Sequence, residues 1–171
     1  MKKYEFTGET KEIRLLFRTA TLHRIRATVA FGIVEVGDLG GWIEKEENLS
    51  HEGKAWVCGD AKVCGDAKVC GDAEVCGDAK VCGDAEVFSA SHVLVIGAIG
   101  SRNDFTTFYR DKDNEITVKC GCFLGKIDRF LEKVTQTHGD SKYALVYRAA
   151  VEVAKLQIDL SGEAPKDADE E

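Results

Sequence analysis

Apolar and polar positions between Val57 and Glu86 follow a strict six-residue cycle, Val-Cys-Gly-Asp-Ala-Lys or Val-Cys-Gly-Asp-Ala-Glu, which occurs five times. The valine and alanine positions are spaced alternately four and two residues apart, whereas an amphipathic helix needs spacings of three and four. Gly-Asp is turn chemistry, because glycine tolerates a positive φ and aspartate bonds its own backbone. The pattern therefore predicts short strands broken by corners, which together form a parallel β-solenoid.

The number of hexads in each coil is open from the residues alone. The repeat resembles that of left-handed β-helix proteins, in which three hexads make one triangular coil, and the left hand is implied by this resemblance only. In that register residues eighteen apart stack, so Val57 lies on Val75 and Val63 on Val81 at about 4.8 Å. The alternative is a flattened solenoid with two hexads per coil, which would stack Cys58 on Cys70.

The apolar phase of the repeat continues upstream to Leu39 and downstream to Ile99, although the Cys-Gly-Asp portion is lost. The predicted fold class is mainly β: a short left-handed parallel β-helix of about three coils, with a cap at each end. We expect a small antiparallel meander before it and a β-hairpin plus two-helix α+β module after it. The predicted units are a β cap (1–38), the solenoid (39–100), an α+β domain (101–160) and an acidic flexible tail (161–171).

The C-terminal domain is predicted from two hydrophobic patterns. Residues 105–120 read as a hairpin with a polar turn, and residues 124–134 follow helical spacing. His138-Gly-Asp-Ser141 should end this helix and start another, because glycine suits a C-terminal cap and aspartate or serine an N-terminal one. The last helix is expected to carry the apolar residues Leu145, Val146, Ala149, Val153 and Leu156.

The seven cysteines divide into two groups. One cysteine in each hexad follows the inward valine and should face outward, so we expect a ladder of free thiols rather than a metal or redox site; these are Cys58, Cys64, Cys70, Cys76 and Cys82. Cys120 and Cys122, with His138, offer the ligand types that zinc prefers. We nevertheless expect cysteines at a strand end tucked under a helix, and predict no metal and no cofactor.

The net charge of −7 is uneven, because residues 1–30 carry seven Lys or Arg against three Glu, a local +4 that leaves −11 for the rest. Arg24 and Arg26 share one face of a predicted strand, so a small basic patch could contact nucleic acid, although solvent-facing strand charges are the favoured interpretation. The corner aspartates are interpreted as turn residues, since their step does not match the phosphate spacing of DNA. The candidate basic patch is Arg14, Arg18, Arg24 and Arg26.

Self-association or binding of a protein partner is the predicted mode of action, with a dimer slightly favoured over a trimer. Tyr143 and Tyr147 lie one helical turn apart beside aliphatic residues, which is more apolar surface than a small domain needs to bury. No nucleotide-binding loop or Ser-His-Asp arrangement is present in the sequence, so we assign no catalytic residue. The candidate partner-binding residues are Tyr143, Tyr147, Val151, Arg102, Phe105 and Tyr109.

The segments 22–27, 37–57 and 92–123, which include Gly37-Asp-Leu-Gly-Gly-Trp-Ile43 and Val118-Lys-Cys-Gly-Cys-Phe123, resemble a family of hexapeptide-repeat proteins of bacteria and phages, and the resemblance covers about residues 22–123. Members of that family are labelled transferases or polymer-forming proteins, and a fold alone does not carry a function. The resemblance implies a phage or mobile-element protein. We predict a non-enzymatic scaffold; the alternatives are an inhibitor that sequesters a host defence component or its nucleotide signal, and an acyltransferase.

The first residues lack an apolar stretch able to act as a signal peptide, and no run approaches the roughly 20 apolar residues of a membrane span. Cysteines without an export signal point to a reducing compartment. We therefore expect a cytoplasmic protein of a bacterial host cell that has no membrane contact.

Overall fold

A computed structural model describes residues 1–162, and within this range the chain forms thirteen strands and two α-helices. The strands are β1 (Tyr4–Arg14), β2 (Thr19–Ala27), β3 (Leu39–Ile43), β4 (Trp56–Val57), β5 (Lys62–Val63), β6 (Lys68–Val69), β7 (Glu74–Val75), β8 (Lys80–Val81), β9 (Glu86–Val87), β10 (Val93–Ile99), β11 (Asp104–Arg110), β12 (Ile116–Cys120) and β13 (Phe123–Lys126). The helices are α1 (Ile127–His138) and α2 (Lys142–Gln157).

Strands β1 and β2 form a long antiparallel pair, called here the N-terminal hairpin, whose register runs from Tyr4 opposite Ala27 to Arg14 opposite Thr19. Strand β3 continues this sheet antiparallel to β2, and then pairs in parallel with β5. The five-stranded sheet therefore has the order β1-β2-β3-β5-β8 and mixes both pairing modes. The predicted N-terminal meander is thus joined to the hexads through one continuous sheet.

The hexapeptide segment, residues 55–87, consists of two-residue strands that pair in parallel with the strand eighteen residues away. Val57 lies opposite Val75, and Val63 lies opposite Val81. The predicted eighteen-residue register is confirmed, and the twelve-residue alternative is wrong. Because each strand is followed by a Gly-Asp turn, successive strands fall into three different sheets.

The core of the hexapeptide segment contains the valine and alanine of every hexad, as the periodicity predicts. These side chains are at most 1 % exposed. Val69 lies opposite Val87 and bridges to Leu49, so each ladder extends the apolar stack along the segment. Tyr4 closes the stack at one end and Tyr109 joins it from the other side, both fully buried.

The C-terminal domain comprises a four-stranded antiparallel sheet, in the order β10-β11-β12-β13, and the two helices. The predicted hairpin and both predicted helices are present, but α1 begins at Ile127, and Leu124, which was predicted to lie in it, belongs to strand β13. The helix break at Gly139 has the positive φ of +57° that suits glycine. Strand β10 differs from the prediction. It is in phase with the hexads, but it pairs antiparallel with β11 because the corner residues are missing and the strand runs on for seven residues.

The predicted fold class, a mainly β protein built on a left-handed β-helix, is wrong. The chain has a mixed architecture of four sheets and two helices over residues 1–162. The parallel ladders are only two residues wide, whereas the long strands β1, β2 and β10 to β13 pair antiparallel. Because the strands of the hexads are only two residues long, the longer flanking strands and the helices determine the fold class.

The acidic tail predicted at 161–171 lies almost entirely outside the described residues. Within the described part of the chain, neither α-helix combines the length and the apolar character that crossing a membrane requires.

His92 provides a test of acid stability, because it is buried and its Nδ1 accepts the Phe88 N–H at 3.3 Å. Burial, and next the charge of Arg110, lower the pKa of His92 below its usual 6.5. The unfolded chain therefore protonates His92 more readily than the folded chain does. The contribution of neutral His92 to the stability of the folded state is fully present above pH 6.5 and is lost as the pH falls below it. We expect the stability difference between wild type and His92→Asn, measured by urea unfolding, to shrink on acidification.

Asn retains an acceptor near the Nδ1 position but does not titrate. Equal pH dependence of the two proteins between pH 8 and 5, on either side of the usual histidine pKa, would show that His92 titrates as it does in the unfolded chain.

Candidate functional site

A half-open cavity in the C-terminal domain, called here the C-terminal cavity, has a volume of about 160 Å³. Four parts of the chain line it: strand β11 with the turn before it, the β12–β13 turn with its flanking residues, helix α1 and helix α2. Several residues predicted separately from the sequence meet here, although they are up to 45 positions apart. The lining includes Arg102, Cys120, Cys122, Phe130, His138 and Tyr147.

Aromatic side chains build the wall of the C-terminal cavity. Phe130 meets Phe123 at 5.4 Å and Tyr147 edge-on at 5.7 Å between ring centroids. His138 stacks on the other side of Tyr147 with an interplanar angle of 28°. Such contacts fix ring positions, so the cavity is formed by packed groups rather than by loose surface chains. The sequence carries no signal that separates Phe123 and Phe130 from core residues, because an apolar residue in a helix or strand is most often part of the core.

The polar groups that line the C-terminal cavity include a thiol and two hydroxyls. Thr106 Oγ1 donates to Cys120 Sγ at 3.3 Å, and the Tyr147 hydroxyl lies against Gly100. Burial, followed by the neighbouring Cys120, raises the pKa of Tyr147 to about 12. Tyr147 is therefore a neutral phenol at physiological pH, able to donate or accept a hydrogen bond.

The three residues considered as zinc ligands, Cys120, Cys122 and His138, all line the C-terminal cavity. They do not form a ligand set, since no group of three or more His, Cys, Asp or Glu side chains in residues 1–162 is arranged to hold a metal ion. Cys120 is instead engaged with Thr106. The zinc interpretation of these residues is not supported.

The partner-binding residues predicted from the sequence are only partly at the surface. Tyr109, Tyr147 and Val151 are buried, so their assignment to a partner surface is corrected here. Arg102, Phe105 and Tyr143 are exposed. The physical reason is that α2 packs on the sheet through the side that carries Tyr147 and Val151, flanked by Ala144, Ala150 and Ala154.

The opposite side of α2 carries a second apolar row, called here the α2 stripe, formed by Leu145, Ala149, Val153 and Leu156. Spacings of four, four and three place these residues on one helix face. All four are exposed. The sequence predicted that α2 carries these residues, and the structure leaves them exposed on the face of α2 that is not packed against the domain.

The cysteines of the hexads are not a uniform outward ladder. Cys58 and Cys76 form a disulfide with Cα atoms 4.6 Å apart, which corrects the expectation of free thiols. Cys64 and Cys82 are buried, with sulfur atoms 2.6 Å apart. The reason is that the N-terminal hairpin and Trp42 cover the face that holds these two thiols.

The basic patch predicted near the N-terminus is largely neutralised by glutamates. Arg18 binds Glu44 with both terminal nitrogens, at 2.5 and 2.9 Å. Arg24 and Arg26 pair with glutamates of β1 at 3.4 and 2.6 Å, while Arg14 is exposed. This pairing leaves little positive charge to attract nucleic acid.

Comparison with protein-family models and with curated proteins finds no match to this chain. The resemblance to hexapeptide-repeat proteins, and the transferase or phage origin that it implies, therefore stay predictions from the motif residues.

Proposed function

We propose that the protein is a non-catalytic interaction protein, in which the hexapeptide segment is a stiff spacer between the N-terminal hairpin and the C-terminal domain. We further propose that two copies associate through the α2 stripe. The observation that carries this proposal is the exposed apolar row on a helix whose other face is already packed.

The C-terminal domain is attached to the hexapeptide segment by buried hydrogen bonds. The Tyr109 hydroxyl donates to the Cys82 carbonyl at 2.8 Å and accepts the Cys82 N–H at 3.3 Å. Nearby, the Lys112 N–H donates to the Asp84 carbonyl at 2.9 Å. Because buried bonds of this kind are lost only at a desolvation cost, they oppose rotation of the domain about the segment.

A buried carboxylate orders the part of the C-terminal domain that contacts the hexapeptide segment. Asp111 is buried and bridges to Ala85 of the hexapeptide segment. Its side chain accepts the Thr117 hydroxyl at 2.7 Å and pairs with Lys126 at 3.0 Å. Burial raises the pKa of Asp111, but these bonds outweigh it, so the net shift is downward and the group stays charged.

The N-terminal hairpin is attached at the other side through Glu44. The Glu44 carboxylate receives Arg18 from the end of the hairpin and the Gly65 N–H from the hexapeptide segment at 2.7 Å. The Glu44 N–H donates to the Val63 carbonyl at 3.1 Å. The two flanking modules are therefore bonded to one rigid stack, which supports the spacer role.

The size of the α2 stripe favours a protein occupant. Leu145, Val153 and Leu156 are 61 %, 47 % and 89 % exposed. A helix that is apolar on opposite faces is typical of one buried on both sides, and a contiguous apolar row on a surface marks an interaction site.

Charge along α2 favours a second copy, arranged antiparallel, as that occupant. In this arrangement Leu145 packs on Leu156 of the partner subunit, and Lys142 approaches Asp159 of the partner subunit. A parallel arrangement would instead bring two copies of Lys142 together, which is unfavourable. The antiparallel pair has the two-fold symmetry of the commonest closed oligomers.

We expect sedimentation at tens of micromolar, a range in which weak dimers are populated, to give a mass near twice 18.7 kDa. Replacing Leu145 and Leu156 together by Gln should return the protein to a monomer, because it removes the apolar contact from both ends of the stripe. The matched control is Leu16→Gln, whose side chain is also 61 % exposed but lies in the N-terminal hairpin.

A charge exchange tests the antiparallel geometry. Lys142→Glu should weaken the dimer, and Lys142→Glu combined with Asp159→Lys should restore it, since the pair is re-formed with reversed signs. A monomeric wild type, or a dimer that survives the double Gln replacement, would refute association through the α2 stripe, and a monomer would favour a foreign protein partner.

A further inference from the structure

The C-terminal cavity has the size of a small ring. Its volume of about 160 Å³ is close to that of an engineered apolar cavity of about 150 Å³ that binds benzene. Phe123, Phe130 and Val134 supply apolar lining, and the exposed lining residues mark the mouth of the cavity. A flat apolar group could therefore lie against aromatic side chains without a rearrangement of the core.

Two cations stand at the mouth of this cavity. Arg102 and Lys133 both line it and are both exposed. Neither forms an ion pair or hydrogen bond with any of residues 1–162. The side chain of Arg102 lies beside Gly121 on the opposite turn. Unpaired cations over an apolar pocket are positioned to receive an anionic group.

One acidic residue near the two cations reduces the positive charge at the mouth of the cavity. Asp104 also lines the cavity, and its Oδ1 accepts the Phe105 N–H at 2.7 Å. This bond holds the carboxylate toward its own backbone. With two cations against one carboxylate, the mouth carries a net positive charge before any contribution from His138.

We propose that the C-terminal cavity binds a small anion with a ring-sized apolar body, of the class of monocyclic aromatic carboxylates. The ring lies among Phe123, Phe130 and Tyr147, the carboxylate faces Arg102 and Lys133, and the Tyr147 hydroxyl is the polar group inside. A neutral ring would make the same apolar contacts but leave both cations without a partner. This site is separate from the α2 stripe and does not depend on self-association.

Three probes of equal ring size separate the contributions, namely benzoate, benzyl alcohol and benzylamine, titrated into the full chain and followed by amide chemical shifts. We expect saturable shifts centred on the cavity residues, with affinity in the order benzoate, benzyl alcohol, benzylamine. Equal affinity of benzoate and benzyl alcohol would remove the role of the cations. Absence of saturable binding by benzoate would overturn the proposal.

Variants locate the site. Arg102→Gln and Lys133→Gln should each weaken benzoate binding about two- to fivefold, the usual effect of one exposed charge, and leave benzyl alcohol unchanged. Lys155→Gln removes the same charge from α2, away from the cavity, and should have no effect. Benzoate binding that is insensitive to both cavity variants would overturn the proposal.

A variant that fills the cavity tests the location of the ligand without changing any charge. Thr137 lines the cavity and is exposed, so Thr137→Trp can fill the mouth without disturbing the core. It should abolish binding of benzoate and benzyl alcohol alike. Gln136→Trp introduces the same side chain one position earlier, outside the cavity, and should bind benzoate like wild type. Loss in both variants or in neither would show that the ligand does not occupy this cavity.

Discussion

Val69→Asp is expected to destabilise the protein by about 3 to 5 kcal/mol, since it places a carboxylate with no partner inside the hexapeptide core. Val69 is 1 % exposed and lies between Leu49 and Val87 in one of the three ladders. This loss is comparable to the whole stability of many domains. Urea unfolding should show either a much lower midpoint or no cooperative transition.

The matched control is Lys68→Asp, which puts the same side chain one residue earlier on β6, where it faces outward. We expect it to cost about 1 kcal/mol or less, because Lys68 is exposed and the new carboxylate faces solvent opposite Glu86. If Val69→Asp does not fold, Val69→Ala still tests the position. A Val69→Asp protein that unfolds at the wild-type midpoint would contradict the observed register.

The register of the hexads could be predicted from the sequence because every unit has the same apolar and turn-forming residues at the same positions. Each supplies one valine, one alanine and one Gly-Asp corner, so a single interpretation satisfies five units at once. The fold class could not be predicted in the same way. It depends on how far the flanking strands extend, and β10 keeps the hexad phase while pairing antiparallel with β11.

The orientation of α2 shows a different limit of sequence reasoning. The helix has two apolar rows at helical spacing, one with Tyr147 and Val151 and one with Leu145 and Leu156. The periodicity of the sequence shows both rows but does not indicate which of them is buried. The structure buries the row that contains three alanines, whose small side chains allow a close approach to the sheet. The larger aliphatic row is left exposed.

The C-terminal cavity was also beyond the reach of sequence patterns. Arg102 and Tyr147 were both candidates, but as parts of a partner surface, and Lys133 was not singled out at all. Four elements that are distant along the chain have to meet before the pocket exists. Likewise, Cys64 and Cys82 have the same local sequence as Cys58 and Cys76, and only the covering N-terminal hairpin makes them different.

Gly71→Ala should destabilise the protein more than Gly77→Ala, although both glycines occupy the same Cys-Gly-Asp position. Both have positive φ, +63° and +68°, so an alanine at either position meets the left-handed backbone penalty of about 1 kcal/mol. At Gly71 the added Cβ would also lie 2.6 Å from the Phe88 carbonyl oxygen, whereas at Gly77 it meets nothing within 4 Å. The backbone at Phe88 cannot move aside freely, because its N–H is bonded to His92.

The expected total loss is about 3 kcal/mol for Gly71→Ala, because forced overpacking adds roughly 1 to 3 kcal/mol to the backbone penalty. Gly77→Ala should show the penalty alone, so it is the internal control for the cost of a positive φ. Urea unfolding of the two variants measures the difference directly. Equal losses would mean that the segment after β9 does not cover Gly71, and that hexads with the same Val-Cys-Gly-Asp-Ala sequence also have the same environment.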